Sequence, residues 1–502
     1  MIKIGFAGTD ARSLQGALVV STAKSSNGNN DFFHGVVIRG TPAMPEFAKR
    51  MDWPISFVPT TDNSVGSYAK AIVSALKDGL VDYVVPMPEG LIYEGLVDLV
   101  TKAGFGDRIA GFLKAGAFVE GDKIACKRLC RDFNIPTAEW CSVDARDYSA
   151  VLRTVLYMID KHGGAVMKFP LSAAGKGSRL ILDAWQIRET WDGLMADYGK
   201  DYRAIFGDLM PWPLLIEARR MGVEISFTVP VDKNGNFQFL PSALDYPERF
   251  AGRPAGKDNP ITGGMNSASP HPMDTKELFE IAGDQIIKPF IRALAINNIL
   301  RPCILYPGCV ISLDHQMRPK RILMYEMNIR PGEPEFQPVA RRIRNLGPIM
   351  KAMLEGNLDT VVPEVRQDQV SMSIALVTGP GGPDGQKGYP WSCTKGEPME
   401  IDFAYCEKKS IQLIPSAMDY DAEKEIFKSD GTRVIYMNAN ATVKPGETIA
   451  LTAYRLKEKL LTAFDAGKVR VIPRENPSGN RLDLRRDVGD HYIIAENAFP
   501  TR

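Results

Sequence analysis

The chain has 502 residues, with 61 Lys+Arg against 60 Asp+Glu, 44% apolar and 24% charged positions. At roughly 150 residues per domain this length suggests about three domains, each able to bury a core without disulfides or structural metals. A net charge of +1 argues against nucleic-acid or membrane-surface partners for the molecule as a whole, since both need a basic excess.

The first ten residues meet a charge and two glycines too early for a signal peptide. No run reaches the length that spans a bilayer, and the expectation is a cytoplasmic protein. Residues 2–7, 35–38, 55–58 and 81–86 read as strands, with helical patterns such as 67–78 and 94–102 among them. Strands separated by helices predict a parallel, doubly wound sheet, whose ligands bind beyond the carboxyl ends of the strands. Gly8 and Pro88-Glu89 fall on that edge.

A helix over 122–134 stops at Ile135-Pro136, and a new segment begins at 140–143. The strand 165–169 leads into a small-residue loop at 172–178. Further strands are expected at 214–217 and 224–231, with the turn 232–236 closing a hairpin. Residues 250–272, rich in Gly, Pro, Asn and Ser, read as a long binding loop. A helix over 276–298 precedes the strands 304–313 and 321–329, whose turn at 315–319 makes them an antiparallel hairpin, and a helix over 341–354 follows. The last segment opens with a strand at 370–377 and a loop at 379–383, and ends with a strand at 433–438 and a helix at 448–464.

Seven cysteines, odd in number and scattered, read as reduced thiols. The five histidines are spread singly, which disfavours His-based metal chemistry. Two other signals carry chemistry. In the loop 172–178 glycines let backbone N–H groups approach an anion and Lys176 adds a charge, although Gly177 in place of Ser or Thr excludes a Walker A loop. Lys168 stands in the preceding apolar strand, which is costly unless its ammonium meets an anion or reaches solvent. Near residue 330, Glu326 and Asn328 alternate onto one face of an apolar strand, and two oxygen donors of this kind suit Mg²⁺ bridging protein to phosphates.

Glu120-Gly121-Asp122-Lys123, Met167-Lys168, the glycine-rich flap, Gly222-Val223-Glu224 and Glu326-x-Asn328 follow the order of ATP-grasp ligases, which the chain resembles. More narrowly, Asn134-Ile135-Pro136-Thr137-Ala138, Thr262-Gly263-Gly264-Met265, Leu305-Tyr306-Pro307-Gly308, the run from Glu326 to Gln337 and Asp430-Gly431-Thr432-Arg433-Val434 resemble the phosphoribosylamine–glycine ligase family.

The resemblance implies an α/β chain with an N-terminal doubly wound parallel sheet over 1–112, an ATP-grasp domain over 113–360 with a small lid at about 139–222, and a C-terminal α+β domain over 361–502. It implies an ADP-forming ligase that joins a carboxylate, glycine, to an amine, 5-phosphoribosylamine, through an acyl phosphate, using ATP and Mg²⁺ or Mn²⁺. Lys123 and Lys168 would hold the phosphates, Glu224 the ribose hydroxyls, with Glu217 on the adenine side and Ala174, Gly175 and Gly177 in the closing flap. Glu326 and Asn328 would bind the metal, and Arg330 and Lys176 would serve the transferring phosphoryl group. Gly8, Pro88, Glu89, Asp245, Gly263, Gly264, Gly332 and Glu335, with Arg330 again, would lie on the substrate side. Arg249 matches only with a one-residue shift. Small molecules are the implied partners of a monomer or homodimer.

The chain departs from the family at four places, one being the flanks of the retained Pro88-Glu89. Gly8-Thr9-Asp10-Ala11-Arg12-Ser13 replaces a turn ending in Arg-Glu-His-Ala, Glu217-Ala218-Arg219-Arg220 replaces Glu-Glu followed by apolar residues, and Ile261 replaces an asparagine. With the ATP and metal parts kept and the amine side altered, a paralogue acting on another amine or amino acid is the alternative. A non-catalytic nucleotide-binding regulator is a third reading, against which the joint retention of Lys123, Lys168, Glu326, Asn328 and Arg330 speaks.

Overall fold

A computed structural model describes all residues except 23–31, 172–176, 254, 257, 315–318, 382–384 and 499–502, and omits the side chains of 496–498. Strands β1 (Ile2–Gly8), β2 (Phe33–Arg39), β3 (Ser56–Val58) and β4 (Tyr83–Pro86) form a parallel sheet in the order β3-β2-β1-β4. Their apolar runs are buried by helices on both faces, as parallel sheets require. The helix Ala11–Thr22, absent from the sequence reading, is buried continuously from Ala11 to Val20. It has no polar face, so no helical period marks it. The helix expected over 94–102 is instead two short ones, Glu89–Tyr93 and Leu96–Val100, divided at Gly95 with φ +91°.

Four antiparallel strands follow in the order β5-β8-β6-β7: β5 (Trp140–Asp144), β6 (Ala165–Lys168), β7 (Ser178–Ile181) and β8 (Pro213–Ala218). The helices Tyr148–His162 and Gln186–Phe206 cover this sheet around a core of its own that includes Val151, Leu194, Tyr202 and Trp212.

The next strands are β9 (Val223–Ser226), β10 (Val229–Val231), β11 (Leu244–Glu248), β12 (Ile261–Ser269), β13 (Cys303–Leu313) and β14 (Pro319–Asn328). Around β13, strands β9, β10 and β14 pair antiparallel. The single strand expected over 224–231 is therefore broken at Phe227-Thr228. The turn after it closes only an isolated bridge, Val231 to Phe237, because the ladder partner of β10 is β13.

The remaining strands are β15 (Gln369–Thr378), β16 (Lys395–Ile401), β17 (Gln412–Pro415), β18 (Met418–Asp421), β19 (Ile426–Asp430), β20 (Arg433–Thr442), β21 (Val469–Val471) and β22 (Leu482–Asp483). One sheet runs β11-β12-β15-β20-β17 with β22 beside β15, and a second runs β18-β19-β16-β21. The long loop expected over 250–272 contains β12, whose Asn266, Ser267 and Ser269 are fully buried. Small polar residues carry little strand propensity. The strand forms because β11 and β15 satisfy its backbone on both sides. The helix expected over 341–354 is Leu346–Glu355, preceded by a separate helix, Phe336–Arg341. Among the described residues, no helix is long and apolar enough to cross a membrane.

Candidate active site

A cleft of about 530 Å³ lies where these units meet. Lys168 and Glu217 reach it from the β5–β8 sheet, Glu224, Glu326 and Asn328 from the sheet around β13, Glu89 from beyond β4, and Arg433 from β20. Asp245, Gly263, Arg330, Gly332 and Glu335 also line it. Lys123 lines an adjoining recess that shares Glu326 and Asn328 with the cleft. Gly8 and Pro88 shape the cleft's edge without lining it: at Gly8 (φ +155°) a Cβ would meet Ser13 Oγ at 2.6 Å and Pro88 Cδ at 2.8 Å. Gly177 accepts the Phe169 N–H at 2.9 Å. Ala174, Gly175 and Lys176 lie outside the described residues.

At the lid end, Asp122 accepts the N–H groups of Ile124 and Ala125 at 2.9 and 3.0 Å and starts the helix Lys123–Asp132. Lys123 and Lys127 follow one turn apart on one face of that helix. The Lys127 ammonium is 2.5 Å from Glu217 Oε1, and the other Glu217 oxygen pairs with Lys168. Burial pushes the Glu217 carboxyl up, but the two lysines outweigh it and hold it at about 2. Burial likewise lowers Lys168, and Glu217 reverses this to a net rise. For Lys123 burial prevails over the nearby Glu326, and its pKa falls. Lys127 was missed by the sequence reading, although its spacing from Lys123 was a signal.

The register of β13 with β14 sets Glu326 opposite Gly308 and Asn328 opposite Tyr306. The Asn328 amide donates to the Tyr306 carbonyl at 3.1 Å and to Glu326 Oε1 at 3.2 Å, leaving its own oxygen as an acceptor. Among the described residues, no group of three or more His, Cys, Asp or Glu could hold a metal by itself. A carboxylate and an amide oxygen at a cleft wall do fit a cation completed by phosphate oxygens and water, the habit of Mg²⁺. Glu224, open to the cleft but hemmed in by protein, is pushed up to about 7 by desolvation and then by Glu248 and Glu326.

At the opposite end Arg330 lies 3.2 Å from both Glu89 and Glu120, and Glu120 also accepts the Ile329 N–H at 2.8 Å. Burial raises Glu89, but Arg330 and Arg12 bring it down to about 2. Glu120 goes the other way, to about 7, because its desolvation and the charge of Glu89 exceed the pull of Arg330. Asp245 and Glu335 interact closely, and both are raised, first by desolvation and then, for Asp245, by the charge of Glu335. Asp245 keeps one edge open to the cleft, yet its Oδ1 and the Oε2 of Glu335 are sealed without a hydrogen-bond donor. Two carboxyls so placed share a proton or await a cation. Gly264, at φ +94°, allows the Thr-Gly-Gly-Met run to press on Pro334, whose Cδ lies 2.4 Å from where a Cβ would be.

Arg12, Glu120, Glu333 and Arg433 are site residues that the sequence reading did not select. Arg249 is buried and turned toward the last sheet, donating to the Tyr389 carbonyl at 2.9 Å and pairing with Asp483 at 2.5 Å. Arg219 and Arg220 line the lid rim of the cleft where the family has apolar residues.

Residues 121–336 match the model of the phosphoribosylglycinamide synthetase ATP-grasp (A) domain. The phosphoribosylamine–glycine ligase of Escherichia coli is 30% identical over 329 residues, spanning 65% of this chain and 69% of that protein. The chain belongs to the phosphoribosylamine–glycine ligase family. The ligase of Yersinia pestis is 29% identical over 375 residues, 74% of this chain and 78% of that one. Among solved structures, the ligase of Thermotoga maritima shares the fold with a TM-score of 0.66 at 18% identity, covering 97% of this chain and 100% of that one. The biotin carboxylase domain of 2-oxoglutarate carboxylase from Hydrogenobacter thermophilus, in complex with MgADP, ADP and bicarbonate, reaches 0.61 at 14% identity over 92% of this chain and 89% of that one. The chain is thus an ATP-grasp carboxylate–amine ligase.

Proposed function

We propose that this ligase joins glycine to 5-phosphoribosylamine, with release of ADP and phosphate. The observation that carries the reading is one cleft that gathers the Glu217-braced Lys168, the Glu326–Asn328 oxygens, Arg330 and the donor-poor Asp245–Glu335 pair. Lys123 and Lys168 hold the triphosphate, with Glu217 fixing Lys168 and Glu224 receiving the ribose hydroxyls. Lys176 and the flap at 174–177 belong to the same reading. Glu326 and Asn328 hold Mg²⁺ or Mn²⁺, which neutralises phosphate charge when bound.

The reaction needs no nucleophilic side chain. A glycine carboxylate oxygen bonds to the γ-phosphorus as the bond to ADP breaks, and the amine then displaces phosphate from the acyl carbon and loses a proton. Arg330 lies where negative charge builds in the first step. Asp245 and Glu335, with Gly263, Gly264 and Gly332 giving close backbone approach, receive the cationic amino group. Gly8, Pro88 and Glu89 bound the site of the second substrate.

One observation favours a second reading, in which the amine differs. In the turn where the family carries Arg-Glu-His-Ala, Arg12 is buried and engaged by Asp10 at 2.9 Å and by the Pro331 carbonyl at 2.6 Å. The test is ADP release with ATP, Mg²⁺, glycine and freshly generated phosphoribosylamine. Turnover requiring both glycine and phosphoribosylamine supports the first reading; turnover only with another amine supports the second.

A further inference from the structure

We infer that Glu333 is a positioning residue that fastens the N-terminal helix and the last sheet to the substrate end of the cleft, keeping water from the activated carboxylate; this rests on the ligase reading above. Glu333 comes just after Gly332, and its side chain is 8% exposed. Its Oε1 accepts the Ala11 N–H at 3.2 Å, at the start of the helix Ala11–Thr22, where a carboxylate meets unsatisfied N–H groups and the positive end of the helix dipole. Its Oε2 lies 3.8 Å from Arg12 Nε and 3.6 Å from an Arg433 nitrogen.

The main chain of Glu333 is held as well. Arg433 donates to the Glu333 carbonyl at 3.2 Å and also to the carbonyl of Gly263. The Gly263 N–H in turn donates to the Tyr389 hydroxyl at 3.1 Å. The carboxylate thus ties the first helix and β20 to the loop after β14, and Arg433 carries the connection on to the start of β12. Arg12, Glu333 and Arg433 all line the cleft.

A carboxylate between two largely buried guanidinium groups has a definite electrostatic role. Without its charge, Arg12 keeps Asp10 at 2.9 Å, but Arg433 loses its carboxylate partner and faces Arg12 in a place where solvent screens the two poorly. The segments carrying them then separate at the end of the cleft away from the lid. An acyl phosphate is consumed usefully only if the amine reaches it before water does. Loosening this end should therefore uncouple ATP use from amide formation, whereas the lid end, built on Lys127, Glu217 and Lys168, is left intact.

The experiment measures ADP released per amide formed, together with KM for ATP, in the wild-type full chain and in Glu333→Gln, which keeps an oxygen acceptor for Ala11 but removes the charge. The wild type should give a ratio near one. Glu333→Gln should raise it at least threefold, with KM for ATP within twofold of wild type. A ratio that stays near one, whether or not the overall rate falls, overturns the proposal. Should Glu333→Gln fail to fold, Arg433→Gln decides the matter, since it removes the Arg433 links to Glu333 and to the Gly263 carbonyl while leaving Glu333 on Ala11 and Arg12. A rise of about twofold supports the role of Glu333 and an unchanged ratio overturns it. Wild-type activity with glycine and phosphoribosylamine tests the substrate assignment separately; if another amine is the substrate, the ratio is read with that amine.

Discussion

The two ends of the cleft treat buried charge in opposite ways. At the lid end one carboxylate, Glu217, sits between two lysines, with one ammonium on each of its oxygens. At the substrate end two carboxyls, Asp245 and Glu335, lie together, each with one oxygen that meets no donor. The first arrangement holds Lys168, the lysine proposed to meet the triphosphate, in place before any ligand arrives. The second is only partly satisfied by the protein alone, which is the condition expected of a site that receives a cationic amine. A paired charge here marks architecture, and an unpaired one marks recognition.

Substitutions can break that contrast. The largest effect is expected between the two ends, where Glu326→Ala removes the carboxylate of the proposed metal site. ADP release should fall on the order of 10³-fold, as when a group that stabilises developing charge is lost, and a steady-state assay across Mg²⁺ concentrations would show it. Near-normal activity would remove Glu326 from the site.

At the lid end, Glu217→Gln leaves Lys127 and Lys168 buried without the carboxylate they share. It should cost about 3–5 kcal/mol, the usual penalty for orphaning a buried ion, and should raise KM for ATP as well. Urea unfolding checks the first effect, and a loss below about 1 kcal/mol would contradict the triad. The pH dependence follows from the same residue. Its folded-state value of about 2 is below the ordinary 4.5, so the stabilisation is present above pH 4.5 and is lost as pH falls from there toward 2. Glu217→Gln should flatten unfolding curves across that window.

At the substrate end the sign reverses. Asp245 is raised in the folded state, so folding stability drops as pH climbs from the unfolded value toward the folded one. Asp245→Asn removes that decline. It should leave the protein equally stable or about 1 kcal/mol more stable at pH 8, in keeping with functional sites that sacrifice stability, while turnover falls roughly 10–100-fold. Loss of both stability and activity together would mean that Asp245 is architectural, like Glu217.

How much of this could be read in the sequence depended on whether a residue's cost was visible locally. Lys168 within an apolar strand and the Glu326-x-Asn328 alternation stood out because a charge or amide in such a strand needs a reason. Ala11–Val20 stayed hidden because a helix buried on every side has no period. The strand β12 stayed hidden because its small polar residues read as loop until the pairing with β11 and β15 is known. Glu333 and Arg433 were invisible as a pair, since their meeting depends on the packing of segments a hundred residues apart. Arg249 could be noticed but not aimed: only the tertiary contact with Asp483 shows that it serves the last sheet.

The central claim is that a carboxylate is activated as an acyl phosphate in this cleft. Glycine labelled with ¹⁸O in its carboxylate, turned over with ATP and the amine, tests it directly by mass analysis of the released phosphate. The account predicts one ¹⁸O carried into phosphate per amide formed; phosphate bearing oxygen only from ATP and solvent would contradict it.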